Sequence, residues 1–103
     1  MKDTSLVTQN DPNNINLSSG GVTGEVRIHN QFGLHARPAA QLVRLAQQYS
    51  CEIKLKTSNG EADAKSILDI LSLAAGPGVK IHIRADGPDE KEALETMIGF
   101  FEQ

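Results

Sequence analysis

From Val79 to Asp86 apolar and ionisable residues alternate without a break: Val79, Ile81, Ile83 and Ala85 against Lys80, His82, Arg84 and Asp86. Successive side chains of an extended chain point to opposite faces, so the segment predicts a strand with one dry and one wet face. Such a strand belongs in a sheet covered by a second layer on one side only, the arrangement typical of antiparallel sheets. Two further segments repeat the pattern. Val22, Val26 and Ile28 alternate with Glu25, Arg27 and His29, and Cys51, Ile53 and Leu55 alternate with Glu52, Lys54 and Lys56. Ser58-Asn59-Gly60 is a turn signal, after which Glu61 to Lys65 returns as a short strand.

The covering layer must come from the helical segments. Ala39, Leu42, Val43 and Ala46 fall at i, i+3, i+4 and i+7, with Pro38 in the first turn. Ser66 is placed to cap a helix carrying Ile67, Leu68, Ile70, Leu71 and Leu73, which Gly76-Pro77-Gly78 stops. A last helix opens at Gly87-Pro88-Asp89-Glu90, with acids near its positive dipole end. Its apolar stripe is Leu94, Met97, Ile98 and Phe101. The order is βαββαβα, an α+β open-faced β-sandwich: a four-stranded antiparallel sheet covered on one face by three helices.

The 103 residues suffice for one domain, and 39% hydrophobic content without tryptophan predicts a small aliphatic core. Residues 1–21 are dominated by Asn, Ser, Thr, Gly and Asp and read as a disordered polar tail ahead of a domain over 22–103. A formal charge of −3 with dispersed Lys and Arg argues against a nucleic-acid partner. Cys51 stands alone and cannot form an internal disulfide, as is usual in a reducing compartment. The chain has no run approaching the roughly 20 apolar residues of a membrane span, and its polar start lacks a secretory apolar region. Cytoplasmic residence without membrane insertion is the expectation.

Chemistry concentrates in Gly33-Leu34-His35-Ala36-Arg37-Pro38-Ala39. His35 lies where a loop becomes a helix, beside first-turn amides that have no helical partner and form a ready anion cradle, Ala36 and Arg37 included. Pro38 lacks an N–H, which costs little at this place. Arg37 supplies a permanent cation whose fork grips phosphate oxygens in two places. Imidazole is a nucleophile near neutral pH, so the set matches reversible phosphoryl transfer. A histidine at a helix start is otherwise a cap or a surface residue.

Asn30 to Ala40, Asn-Gln-Phe-Gly-Leu-His-Ala-Arg-Pro-Ala-Ala, resembles the phosphorylation-site motif of the HPr family, the histidine phosphocarriers of the bacterial phosphoenolpyruvate-dependent phosphotransferase system. The resemblance extends over Val22 to Gln103 and includes Lys65-Ser66-Ile67-Leu68. It implies that His35 is phosphorylated at Nδ1 by enzyme I, that Arg37 assists, and that an enzyme II domain accepts the group. The chain is expected not to be an enzyme in its own right, being itself the stoichiometric intermediate and lacking a nucleotide or metal site, and to be a monomer without a cofactor. Ser66 matches the position that an HPr kinase/phosphorylase modifies in some members; a plain N-cap serine is the other reading. Asp69 stands where many kinase-regulated members have Gly, which places an acid near any phosphate there. The chain resembles the nitrogen-related branch about as well as the sugar branch, and the sugar branch is preferred. A regulatory protein signalling through Ser66, or docking transcription factors, is the alternative function.

Phe32, Leu34, Ile67 and Leu71 are expected around His35 as an apolar docking patch, with Phe32 exposed and the others shared with the core. His29 and His82 read as surface histidines on the wet face rather than metal ligands. Gly76-Pro77-Gly78-Val79-Lys80 lacks the spacing of a nucleotide cradle and reads as a turn. Cys51 reads as a small buried hydrophobe.

Overall fold

The alternating segments pair as their patterns require. The computed structural model describes residues 20–103, so the tail read over 1–21 lies, except for Gly20 and Gly21, outside the described residues. Strands β1 (Val22–Arg27), β2 (Glu52–Thr57), β3 (Gly60–Asp63) and β4 (Lys80–Asp86) alternate with helices α1 (Ala36–Ala46), α2 (Ile67–Ser72) and α3 (Glu90–Phe101) in the order βαββαβα. The sheet runs β1-β4-β2-β3, and every pairing is antiparallel. Strand β4 lies in the interior, Ile83 opposite Gly24 on one side and Leu55 on the other.

The dry face carries Val26, Ile53, Leu55, Ile81, Ile83 and Ala85, all buried. Above them pack Ala39, Leu42, Val43 and Ala46 of α1, Ile70 of α2, and Ala93, Met97 and Phe101 of α3. Leu94 and Ile98 border this core half-buried. Gly24 admits α3: a Cβ there would stand 2.8 Å from Ile98 Cδ1. On the wet face Glu25, His82 and Lys56 stand in one cross-strand row, and the Glu25 carboxylate lies 3.3 Å from His82 Nδ1. Among the described residues no group of three or more His, Cys, Asp or Glu is gathered as for a metal, and no helix is long and apolar enough to cross a membrane.

The start of α3 departs from simple dipole logic. Asp89 makes no side-chain cap of its own helix. Its carboxylate accepts instead from the amides of Ser50 (2.8 Å) and Cys51 (2.9 Å), tying the start of α3 to the entry of β2. Those amides, Ser50 first, hold the Asp89 carboxyl below the usual carboxylate range. Burial, and then the Asp89 carboxylate, push the neighbouring Cys51 thiol up to about 11, so it stays an inert, protonated core group. At the other end of the chain, Arg84 Nη2 donates to the Gly20 carbonyl at 3.0 Å.

Candidate functional site

The loop ahead of α1 is held by a few specific contacts. Gly33 takes φ +73° and packs so tightly that a Cβ would meet Ala75 O at 2.6 Å and Gly76 Cα at 2.8 Å. Only glycine combines that backbone with that clearance. The next amide, Leu34 N–H, donates to Ala75 O at 2.8 Å, and the Phe32 amide donates to Asn30 Oδ1 at 3.0 Å. The loop is thereby fastened to the α2–β4 connection before it delivers His35.

His35 is the N-cap of α1, with extended backbone (φ −89°, ψ −171°) and an exposed side chain that makes no capping hydrogen bond. Its carbonyl accepts from Ala39 N–H at 2.9 Å, which begins the helix. Pro38 brings no donor, so the first turn is left with the amides of Ala36 and Arg37, neither of which has an acceptor among the described residues. An open depression at this helix start is lined by Phe32, His35, Ala36, Arg37, Gln41 and Arg44. It thus gathers a nucleophilic ring, unpaired amides and two guanidiniums, a set suited to receiving a group that carries several negative oxygens.

Arg44 was not singled out from the sequence, although Arg37, Gln41 and Arg44 fall at i, i+4 and i+7 and so share one helical face. Ser66 is the N-cap of α2, its Oγ accepting from Asp69 N–H at 3.3 Å. The Asp69 carboxylate accepts from Asp63 N–H at 3.1 Å.

The expected apolar patch is brought together only in part. Phe32 is 70% exposed, and Ile67 and Leu71 are 37% exposed each. Leu34 corrects the expectation of a docking role: it is 5% exposed and belongs to the core, with its amide fastened to Ala75 O. Leu68, not placed in the patch from sequence, is the most open of these side chains at 76%. The six-residue α2 buries Ile70 alone, leaving its other apolar residues on the surface.

Comparison with known proteins points the same way as this geometry. A family model described as "PTS HPr component phosphorylation site" matches residues 22–103. The phosphocarrier protein HPr of Cupriavidus necator is 39% identical over 74 residues, 72% of this chain and 83% of that protein. The phosphocarrier protein NPr of Klebsiella oxytoca is 43% identical over 77 residues, 74% of this chain and 86% of that protein. Among solved structures, the phosphocarrier protein HPr from Bacillus anthracis superposes with a TM-score of 0.76 at 36% identity, covering 81% of this chain and 99% of that one. With the family model matched along the whole described domain from β1 onward, this chain belongs to the HPr family of phosphotransferase-system phosphocarriers.

Proposed function

We propose that His35 is the residue that carries the phosphoryl group, taken from phospho-enzyme I and passed to an enzyme II domain. The observation that carries this reading is the start of α1: an exposed imidazole not consumed by capping, beside the unpaired Ala36 and Arg37 amides. In the transfer, an unprotonated ring nitrogen of His35 forms its bond to phosphorus as the bond from phosphorus to the donor atom of phospho-enzyme I breaks. The electron pair of the broken bond leaves with the donor, and the other ring nitrogen of His35 keeps its proton as the phosphoryl group arrives. The Arg37 guanidinium and the two amides oppose the charge on the phosphoryl oxygens. The family reading implies Nδ1 as the attacking atom.

The chain is in this reading a stoichiometric intermediate rather than an enzyme and needs no cofactor. In this reading it works in the cytoplasm as a monomer. Phe32, Ile67 and Leu71 supply exposed apolar surface for enzyme I and enzyme II domains. The sugar branch remains our preferred pathway; the HPr and NPr relatives match this chain to similar extents. For Ser66 the capping bond to Asp69 N–H and the adjacent Asp69 carboxylate support the structural reading over modification by an HPr kinase/phosphorylase.

The test is charging with phosphoenolpyruvate and enzyme I. Wild type should acquire an acid-labile, alkali-stable label that His35→Ala loses, and Arg37→Ala should slow transfer while keeping the fold. Label retained in His35→Ala refutes the assignment.

A further inference from the structure

Building on His35 as the carrier, we infer that Phe32 is a positioning residue that selects the orientation of the His35 imidazole. Among the described residues nothing hydrogen-bonds the His35 side chain. An exposed histidine without a partner is free to visit several side-chain rotamers, and only some of them aim a ring nitrogen into the depression over Ala36 and Arg37. Among the described residues the one ring that meets His35 is Phe32, with centroids 6.0 Å apart and planes at 82°, the edge-to-face arrangement favoured by aromatic quadrupoles.

That contact is informative because Phe32 is otherwise uncommitted. Its side chain is 70% exposed and contributes nothing to the core. Its backbone, by contrast, is tightly fixed: Phe32 N–H is held by Asn30 Oδ1, Gly33 is wedged against Ala75 and Gly76, and Leu34 N–H is bonded to Ala75 O. The loop therefore presents the phenyl ring from an anchored base, and the ring supplies the lateral restraint that hydrogen bonds do not. An edge-to-face pair of this kind biases a rotamer population by roughly two- to tenfold.

A residue that only contacts the partner would act on binding, whereas a positioning residue acts on the ring before the partner arrives. The experiment uses the full chain with Phe32→Leu, which keeps apolar bulk, and Phe32→Tyr, which keeps the ring. In the free proteins, NMR reads the chemical shifts of the His35 Cε1 and Cδ2 protons and the scalar couplings that report its χ1. Charging by enzyme I and phosphoenolpyruvate gives kcat and KM for each carrier. In Phe32→Leu the His35 ring protons should lose the ring-current displacement and the couplings should move toward rotamer averaging. The kcat should fall about two- to tenfold with KM within about twofold, and Phe32→Tyr should restore both. Unchanged His35 shifts and couplings in Phe32→Leu, or a loss confined to KM, overturns the inference. Failure of wild type to accept a phosphoryl group would instead sink the carrier role of His35, and the NMR measurement would still decide whether Phe32 orients the ring.

Discussion

Gly33→Ala probes the link between backbone conformation and site geometry. At φ +73° an alanine sits in the left-handed region, at a cost of about 1–2 kcal/mol. The added Cβ would also stand 2.6 Å from Ala75 O, a backbone atom that cannot swing aside as a side chain would. Relief requires the loop to move away from the α2–β4 connection, which stretches the 2.8 Å bond from Leu34 N–H to Ala75 O. Losing that bond adds about 1 kcal/mol, for a total of roughly 2–3 kcal/mol. With a urea m-value of about 1 kcal/mol/M, suited to a domain of this size, the midpoint should fall by roughly 2–3 M. Because His35 is delivered by the same loop, the charging rate by enzyme I should drop at urea concentrations where the variant is still folded. A midpoint within about 0.5 M of wild type together with normal charging would refute both the strain and its coupling to the site.

Two other perturbations test separate parts of the structure. Leu34→Ala removes a core side chain and should cost about 2–5 kcal/mol in urea unfolding; wild-type stability with weakened enzyme I binding would return Leu34 to the docking surface. Asp89→Asn tests the tie between α3 and β2. The folded state holds this carboxyl below its ordinary value of 3.8, so its contribution is fully present above that pH and is lost as pH falls through the depressed folded value. Thermal melts from pH 2 to 7 should show wild type and variant converging at the acid end and separating above about pH 4; a constant gap across the range would contradict the account.

Patterns confined to one element were legible in the sequence, and contacts between distant elements were not. The alternation of Val79 to Asp86 identifies a strand with one dry face because both of its faces are written in consecutive residues, and all of Ile81, Ile83 and Ala85 are buried; its interior place in the sheet came from the pairing. Ala39, Leu42, Val43 and Ala46 mark the buried side of α1 for the same reason. Leu34 could not be assigned in this way, since it lies in an irregular loop whose amide is fastened to Ala75 of another connection. Asp89 looked like a dipole-stabilising residue of its own helix, but its partners Ser50 and Cys51 lie at the start of a different strand. Leu68 was hidden for a different reason: α2 is too short to bury more than Ile70 among its apolar residues. Arg44 was not singled out because its spacing from Arg37 and Gln41 marks only a shared helical face, and what gives that face meaning is the depression around His35, which Phe32 of the preceding loop also lines.

The contrast between two helix starts explains why the chemistry gathers at one of them. At α2, Ser66 Oγ accepts from Asp69 N–H, so the first turn is partly satisfied from within, and an acidic side chain is already adjacent. At α1 the cap position is occupied by a ring that does not cap, the first turn contains no acid, and Pro38 removes a donor that would otherwise compete for the same acceptor. Two amides and the Arg37 guanidinium therefore remain without an internal anion among the described residues. Leaving a helix start uncapped sacrifices about 1 kcal/mol of stability that a serine or aspartate in place of His35 would contribute. An unsatisfied electropositive start of this kind gains that interaction back only when an anion arrives, so on the proposed reading a phosphoryl group on His35 would serve as the missing cap. The stability of the domain should then rise on phosphorylation, and a charged protein melting no higher than the uncharged one would show that the α1 amides do not hold the phosphoryl oxygens.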